Sequence, residues 1–127
     1  MKTRIVTLLL AAALTAQFAF AGSLSNFGER RAYDHGAFSD VPPSVWYAEN
    51  VSGCYELGLI DGMPGGLFSP QGYVTIAESV KMAVTLHSIY ETGTGYAPGN
   101  GAVWYAPYVR YASDNGIIKS GEYSNYD

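Results

Sequence analysis

Trp46-Tyr47-Ala48 recurs as Trp104-Tyr105-Ala106, Val51 as Val109, and Gly58-Leu59-Ile60 as Gly116-Ile117-Ile118. Every pair lies 58 positions apart, with no gap. Aromatic, aliphatic and glycine positions that match at one constant offset identify an internal repeat, and a period of this size marks an architecture of stacked small units. Such a unit cannot bury its apolar face alone, so neighbouring units supply one another's core. The second copy reaches Asp127 before the counterpart of the first copy's second half begins.

Within the first copy the local signals are helical. Ser44 is a good N-cap, and a helix is expected from there through Trp46, Val51, Cys54 and Leu57, with Gly58 as a left-handed C-terminal stop. Gly53 weakens its middle. Asp61-Gly62-Met63-Pro64-Gly65-Gly66 is too rich in breakers to be regular. Thr75-Ile76-Ala77-Glu78 fits the capping box, in which the threonine hydroxyl and the glutamate carboxylate each take the other residue's amide. A second helix is expected from there to about Glu91, with Ile76, Val80, Ala83, Val84, His87 and Tyr90 along one broad stripe, and Gly93 as its stop. Thr92 to Ala102 reads as a further glycine-rich loop. The expected fold is therefore all-α: helix–loop–helix repeats with long glycine-rich loops, two helices in 38–91 and one in 102–127.

The N-terminus reads as an export signal. Lys2 and Arg4 precede an apolar stretch from Ile5 to Ala16, and Ala19-Phe20-Ala21 gives the small-x-small cleavage pattern. The run is about a dozen residues, too short to span a bilayer comfortably, so no membrane span is expected after cleavage. The expected organisation is a signal peptide at 1–21, a linker at 22–37 without periodicity, a first repeat at 38–93, and a loop with an incomplete second repeat at 94–127. Without Lys2 and Arg4, five basic side chains face eleven acidic ones, a net charge of −6. That balance argues against nucleic acid as a partner. Cys54 is the sole cysteine, which excludes an internal disulfide, and it reads as a small apolar residue on a buried helix face.

Phe38-x-Asp40-Val41, Trp46-Tyr47, Gly58-Leu59-Ile60-x-Gly62, Gly66-x-Phe68-x-Pro70 and Thr75-x-Ala77-Glu78 stand in one order over residues 38–91, with a truncated second copy over 102–127. This ordered set resembles the S-layer homology family. The resemblance implies helix–loop–helix repeats, three of which pack about a pseudo-threefold axis. It also implies grooves that bind secondary cell-wall polymer, often carrying pyruvylated amino sugar. The implied function is non-catalytic attachment of a secreted protein to the bacterial cell wall or S-layer. The implied partners are cell-wall polysaccharide and further repeats, in cis or in copies of the same chain. One position departs from the pattern: the arginine that the family uses to grip acidic ligand is Ile76 here. An aliphatic side chain fills core but cannot pair with a carboxylate. The alternative is thus a structural or assembly repeat that no longer binds glycan.

On this reading Asp40, Trp46, Gly62 and Lys81 are the candidate ligand contacts, while Gly58, Phe68, Pro70, Thr75, Ala77 and Glu78 are structural. Trp46 and Trp104 also read as core, since one helix pair has an aromatic face too large to leave unpacked. Asp40 and Glu78 can be read as a paired acid–base couple for glycoside cleavage, but one sits at a helix entry and the other belongs to a cap, so no catalytic residues and no enzyme are expected. No cofactor is implied. His87 has no second ligand at helical spacing and His35 is isolated, so no metal site is expected. With one full unit and half of another, the chain is expected to be incomplete as a binding unit by itself.

Overall fold

A computed structural model describes residues 22–127; the signal-peptide reading of residues 1–21 lies outside them. Three helices run over Ala48–Glu56 (α1), Ile76–Thr92 (α2) and Ala106–Asp114 (α3), preceded by a 3-10 turn at Leu24–Asn26. The described residues contain no strand, only an isolated bridge between Met63 and Leu67. The fold is all-α.

The termini of the helices follow from single residues. α2 opens with both halves of the capping box, the Glu78 amide donating to Thr75 Oγ1 at 3.2 Å and the Thr75 amide to Glu78 Oε2 at 2.8 Å. It closes at Gly93, which is left-handed with φ 75°. Gly58 and Gly116 terminate α1 and α3 in the same way. In each case the glycine amide donates three residues back and the next amide five back: Gly58 to Tyr55 and Leu59 to Cys54, Gly116 to Ser113 and Ile117 to Ala112. This is the Schellman arrangement, and it explains why Gly-Leu-Ile and Gly-Ile-Ile recur 58 residues apart.

α1 begins later than expected. Successive turns (the Val45 amide to the Pro42 carbonyl, the Ala48 amide to the Val45 carbonyl) occupy the stretch where Ser44 was to cap. The N-cap is Tyr47, with no side-chain cap bond. Trp46 therefore precedes the helix instead of lying within it.

Two cores form, and the boundary between them does not follow the sequence repeat. Phe38, Val41, Ala48 and Val51 make the first, with Tyr33, Tyr55 and Phe68 packed around it. Val80, Val84 and Ala112 make the second, ringed by Tyr96, Tyr108, Tyr111, Ile117 and Ile118. α2 thus packs on α3, the first helix of the following copy, and not on α1 of its own copy; among the described residues no helix lies against α1. Full burial of Val84 and Ile89 stabilises the fold by about 2 kcal/mol apiece.

The buried face of α2 also differs from the expected stripe. Val80 and Val84 are buried, but Tyr90 is exposed while Ala77, Thr85, Ser88 and Ile89 are covered. The cause is a second contact, from the 3-10 turn, on another side of the helix. Residues 22–37, expected as a linker, are irregular yet packed. The Ser23 amide and Asn26 Nδ2 both donate to the Tyr90 carbonyl, and Arg30 donates to the Gly93 carbonyl. A cation and two donors at a helix C-terminus satisfy carbonyls that the helix leaves open.

Candidate functional site

The late start of α1 shapes a groove of about 440 Å3 beside that helix. Trp46, Tyr47 and Asn50 from the entry of α1 line it together with Phe68, Pro70 and Gln71 from the loop before α2. Val51 and Cys54 complete the lining, so Cys54 is partly exposed in a groove and not buried on a helix face. No lining side chain is charged.

Trp46 is 86% exposed. This corrects its reading as a core residue, and the same correction applies to Trp104, which is 49% exposed. Each tryptophan sits just ahead of its helix, edge to face with the following tyrosine: Trp46 and Tyr47 at 5.5 Å and 89°, Trp104 and Tyr105 at 5.6 Å and 85°. Tyr47 packs against the first core and Tyr105 stacks on Tyr126, while both indoles are left outside.

Asp40 holds the groove together from behind. Its carboxylate accepts the Phe68 amide at 2.8 Å and the Ser69 amide at 2.7 Å. Those bonds, the Phe68 amide first, hold its pKa below the usual carboxylate value against the opposing effect of burial. Ser69 has φ 62°, an uncommon backbone for a residue with a side chain, and the two amide bonds fix it there. Asp40 is in this way spent on positioning Phe68-Ser69-Pro70.

Gly62 and Lys81 lie elsewhere. Gly62 has φ 77°, and a Cβ on it would run into the Phe38 ring, so this glycine serves close packing behind the first core. Lys81 Nζ pairs with Asp61 Oδ2 at 2.6 Å, while Arg31 Nη1 takes Asp61 Oδ1 at 2.9 Å. Burial raises the Asp61 pKa, but the hydrogen bonds from Lys81 and Arg31 outweigh it and the net shift is downward. Arg31 also donates to the carbonyls of Tyr55 and Ile60 and lies 3.8 Å over the Tyr55 ring. The triad joins the N-terminal segment, the loop after α1, and α2.

Of the four expected ligand contacts, then, Trp46 alone lines the groove. Of the structural set, Phe68 and Pro70 line it as well, Thr75, Ala77 and Glu78 form the start of α2, and Gly58 ends α1. Asn50 and Gln71 were not foreseen. Asn50 stands four residues after Trp46, a spacing that reaches the same side of a helical turn, whereas nothing local marks Gln71.

Ile76 packs against the second core and lines a smaller groove of about 330 Å3 with Val80, Ala83, Ile117 and Ile118. The Asp40 and Glu78 carboxylates are each taken by backbone amides, in different parts of the fold. Among the described residues no three His, Cys, Asp or Glu side chains gather as a metal site would require, and no helix is long and apolar enough to cross a membrane.

Residues 37–78 match the S-layer homology domain. The chain is 27% identical over 86 residues to an S-layer protein of Bacillus thuringiensis subsp. finitimus, and 27% identical over 85 residues to the S-layer protein sap of Bacillus anthracis. Each alignment covers 65% of this chain and 10% of the relative, so the chain spans about a tenth of the length of these proteins. No solved structure gives a significant match.

Proposed function

From its membership of the S-layer homology family, we infer that the chain works as a cell-surface anchoring module, and we propose that it attaches by binding cell-wall polysaccharide in the groove beside Trp46. It is a secreted protein of the bacterial cell surface. The observation that carries the glycan reading is the large, exposed indole of Trp46 over an uncharged groove edged by two amides. An aromatic ring presents an apolar face to the C–H face of a sugar, and amide side chains both donate to and accept from its hydroxyls. We also propose residues 1–21 as a cleaved signal and wall polymer as the partner, without catalysis.

A second reading has its own support. α1 bears an open flank where the equivalent flank of α3 is covered by α2, and Ile76 serves the core and not a ligand. On that reading the module assembles with further repeats, in cis or in another copy, and needs no glycan.

Sedimentation of the protein with purified cell walls, intact or stripped of their non-peptidoglycan polymer, separates the two. Retention on intact walls alone, lost in Trp46→Ala, supports glycan attachment. Equal behaviour with both wall preparations, with concentration-dependent self-association, supports assembly.

A further inference from the structure

We propose that Asn100-Gly101 is a site of spontaneous covalent modification, where the asparagine is converted to aspartate and isoaspartate, while the chain's other Asn-Gly pair, Asn115-Gly116, is protected by its place in the fold. Nothing in this depends on what the groove at Trp46 binds.

An asparagine reacts with the backbone nitrogen that follows it. That nitrogen gives up its proton to solvent hydroxide and attacks the side-chain carbonyl carbon, Cγ. The new C–N bond closes a five-membered succinimide ring, and the Cγ–Nδ2 bond breaks with release of ammonia. Water then opens the ring. Cleavage between Cγ and the nitrogen leaves aspartate. Cleavage at the former backbone carbonyl leaves isoaspartate, in which the main chain runs through Cγ. Amide and water become carboxylate and ammonium, so no oxidant or reductant takes part. Glycine as the following residue has no Cβ to obstruct the attack and the widest choice of backbone angles. The freedom of that one nitrogen then decides the rate.

The 58-residue offset sets Asn100-Gly101 opposite Pro42-Pro43. In the first copy this stretch is held from both sides. The Val41 amide donates to the Phe38 carbonyl at 3.0 Å and the Val45 amide to the Pro42 carbonyl at 3.1 Å, while Asp40 ties the segment to Phe68 and Ser69. None of these bonds has a counterpart in the second copy. Pro98 stands in the place of Asp40, and Gly99 in that of the buried Val41. Only the turn nearest the helix persists, with the Ala106 amide on the Val103 carbonyl at 3.2 Å. Tyr96 still packs against the second core, but Gly99, Asn100, Gly101 and Ala102 are all exposed. Among the described residues no hydrogen bond engages Asn100 or Gly101. A span without packing or hydrogen bonds samples many backbone angles, including those that bring the Gly101 nitrogen onto Cγ.

Asn115-Gly116 has the same sequence and the opposite situation. Gly116 ends α3 with φ 69°, its amide donating to the Ser113 carbonyl at 3.2 Å. Asn115 Nδ2, the leaving nitrogen, donates to the Tyr111 carbonyl at 2.9 Å. Both the attacking and the departing nitrogen are committed, and the Ile117 amide continues the Schellman turn to Ala112. That turn has to open before the ring can close.

Conversion places a carboxylate in the span that joins α2 to α3 and, in the isoaspartyl form, adds one carbon to the main chain there. Val80, Val84 and Ala112 make the core between the two helices without help from this span. The helices therefore stay paired while the loop gains a negative charge.

The test follows the protein over weeks in mildly alkaline buffer, folded and in denaturant. Peptide mapping by mass spectrometry reads the exchange of amide for acid, and an isoaspartate-specific methyltransferase reads the rearranged form. In denaturant the two Asn-Gly pairs should convert at about the same rate. In the folded protein Asn100 should convert at least about tenfold faster than Asn115, since two hydrogen bonds must open before Asn115 reacts. Gly101→Ala should slow Asn100 and leave Asn115 unchanged. The fold accommodates that variant, because the added Cβ comes no nearer than 3.9 Å to its closest neighbour, the Val103 carbonyl oxygen. The converted protein should keep its melting midpoint. Folded Asn100 converting as slowly as Asn115, or folded Asn115 as fast as Asn100, would overturn the proposal. A midpoint lowered by conversion would overturn the reading of this span as free.

Discussion

His87 Nδ1 lies 3.1 Å from the Tyr111 hydroxyl, and the contact joins the second helix of one repeat to the first helix of the next. The rings also meet edge to face at 5.7 Å. Removing the hydroxyl in Tyr111→Phe keeps the ring packing and deletes only the hydrogen bond. The expected cost is about 1 kcal/mol. Chemical denaturation should show it, and His87→Ala combined with Tyr111→Phe should cost less than the two single losses added together.

Thr75→Ala should destabilise the protein by about 1 kcal/mol, because the Glu78 amide loses its acceptor and the start of α2 is left uncapped. Thermal melting of the variant reads this directly. An unchanged midpoint would mean that the capping box contributes nothing.

Two glycines should respond in opposite directions. Gly62→Ala imposes a side chain at φ 77° and drives it into the Phe38 ring, at an expected cost of about 2 kcal/mol or more. Gly53→Ala lies within α1 with nothing within 4 Å of the new Cβ, and should stabilise by up to about 1 kcal/mol through helix propensity. Parallel denaturant titrations compare the two.

Stability should fall on acidification in a defined window. Asp40 and Asp61 titrate below their ordinary values in the folded protein, so each binds a proton less readily folded than unfolded. The stabilisation they give is complete above the usual carboxylate pKa of about 4 and is lost as pH falls below it, through the lowered folded values. Asp61→Asn should lower the melting midpoint near neutrality and flatten its dependence on pH below about 4. An equally steep acid transition in that variant would show that Arg31 and Lys81 hold Asp61 without consequence for stability.

How much of this was legible depended on the range of the signal. Capping boxes, left-handed glycines and a constant offset are local patterns, and Thr75–Glu78, Gly58, Gly93 and Gly116 behave as read. The entry of α1 was misplaced because Ser44 has the right side chain for a cap, while the turns after Pro42 had already used the backbone. That shift of three residues turned Trp46 from an expected core residue into an exposed one. The roles of Asp40 and Lys81 were out of reach for another reason: their partners Phe68, Ser69 and Asp61 lie twenty or more residues away in sequence. Composition marked 22–37 as irregular, and it is, but irregular backbone with Arg30, Arg31 and Tyr33 can still be tied down side chain by side chain.

The staggered pairing of α2 with α3 has an arithmetic consequence. When each unit's second helix mates with the next unit's first, a row of any length keeps one first helix unmated at its head and one second helix unmated at its tail. Lengthening the row moves these two ends apart without removing either. They are satisfied only when tail meets head, so such a contact yields a closed ring if its rotation returns on itself and an open filament if it does not. In this chain the head is the flank of α1, and in an assembly built on that contact the number of units would be decided by the angle between α2 and α3, not by the strength of their contact.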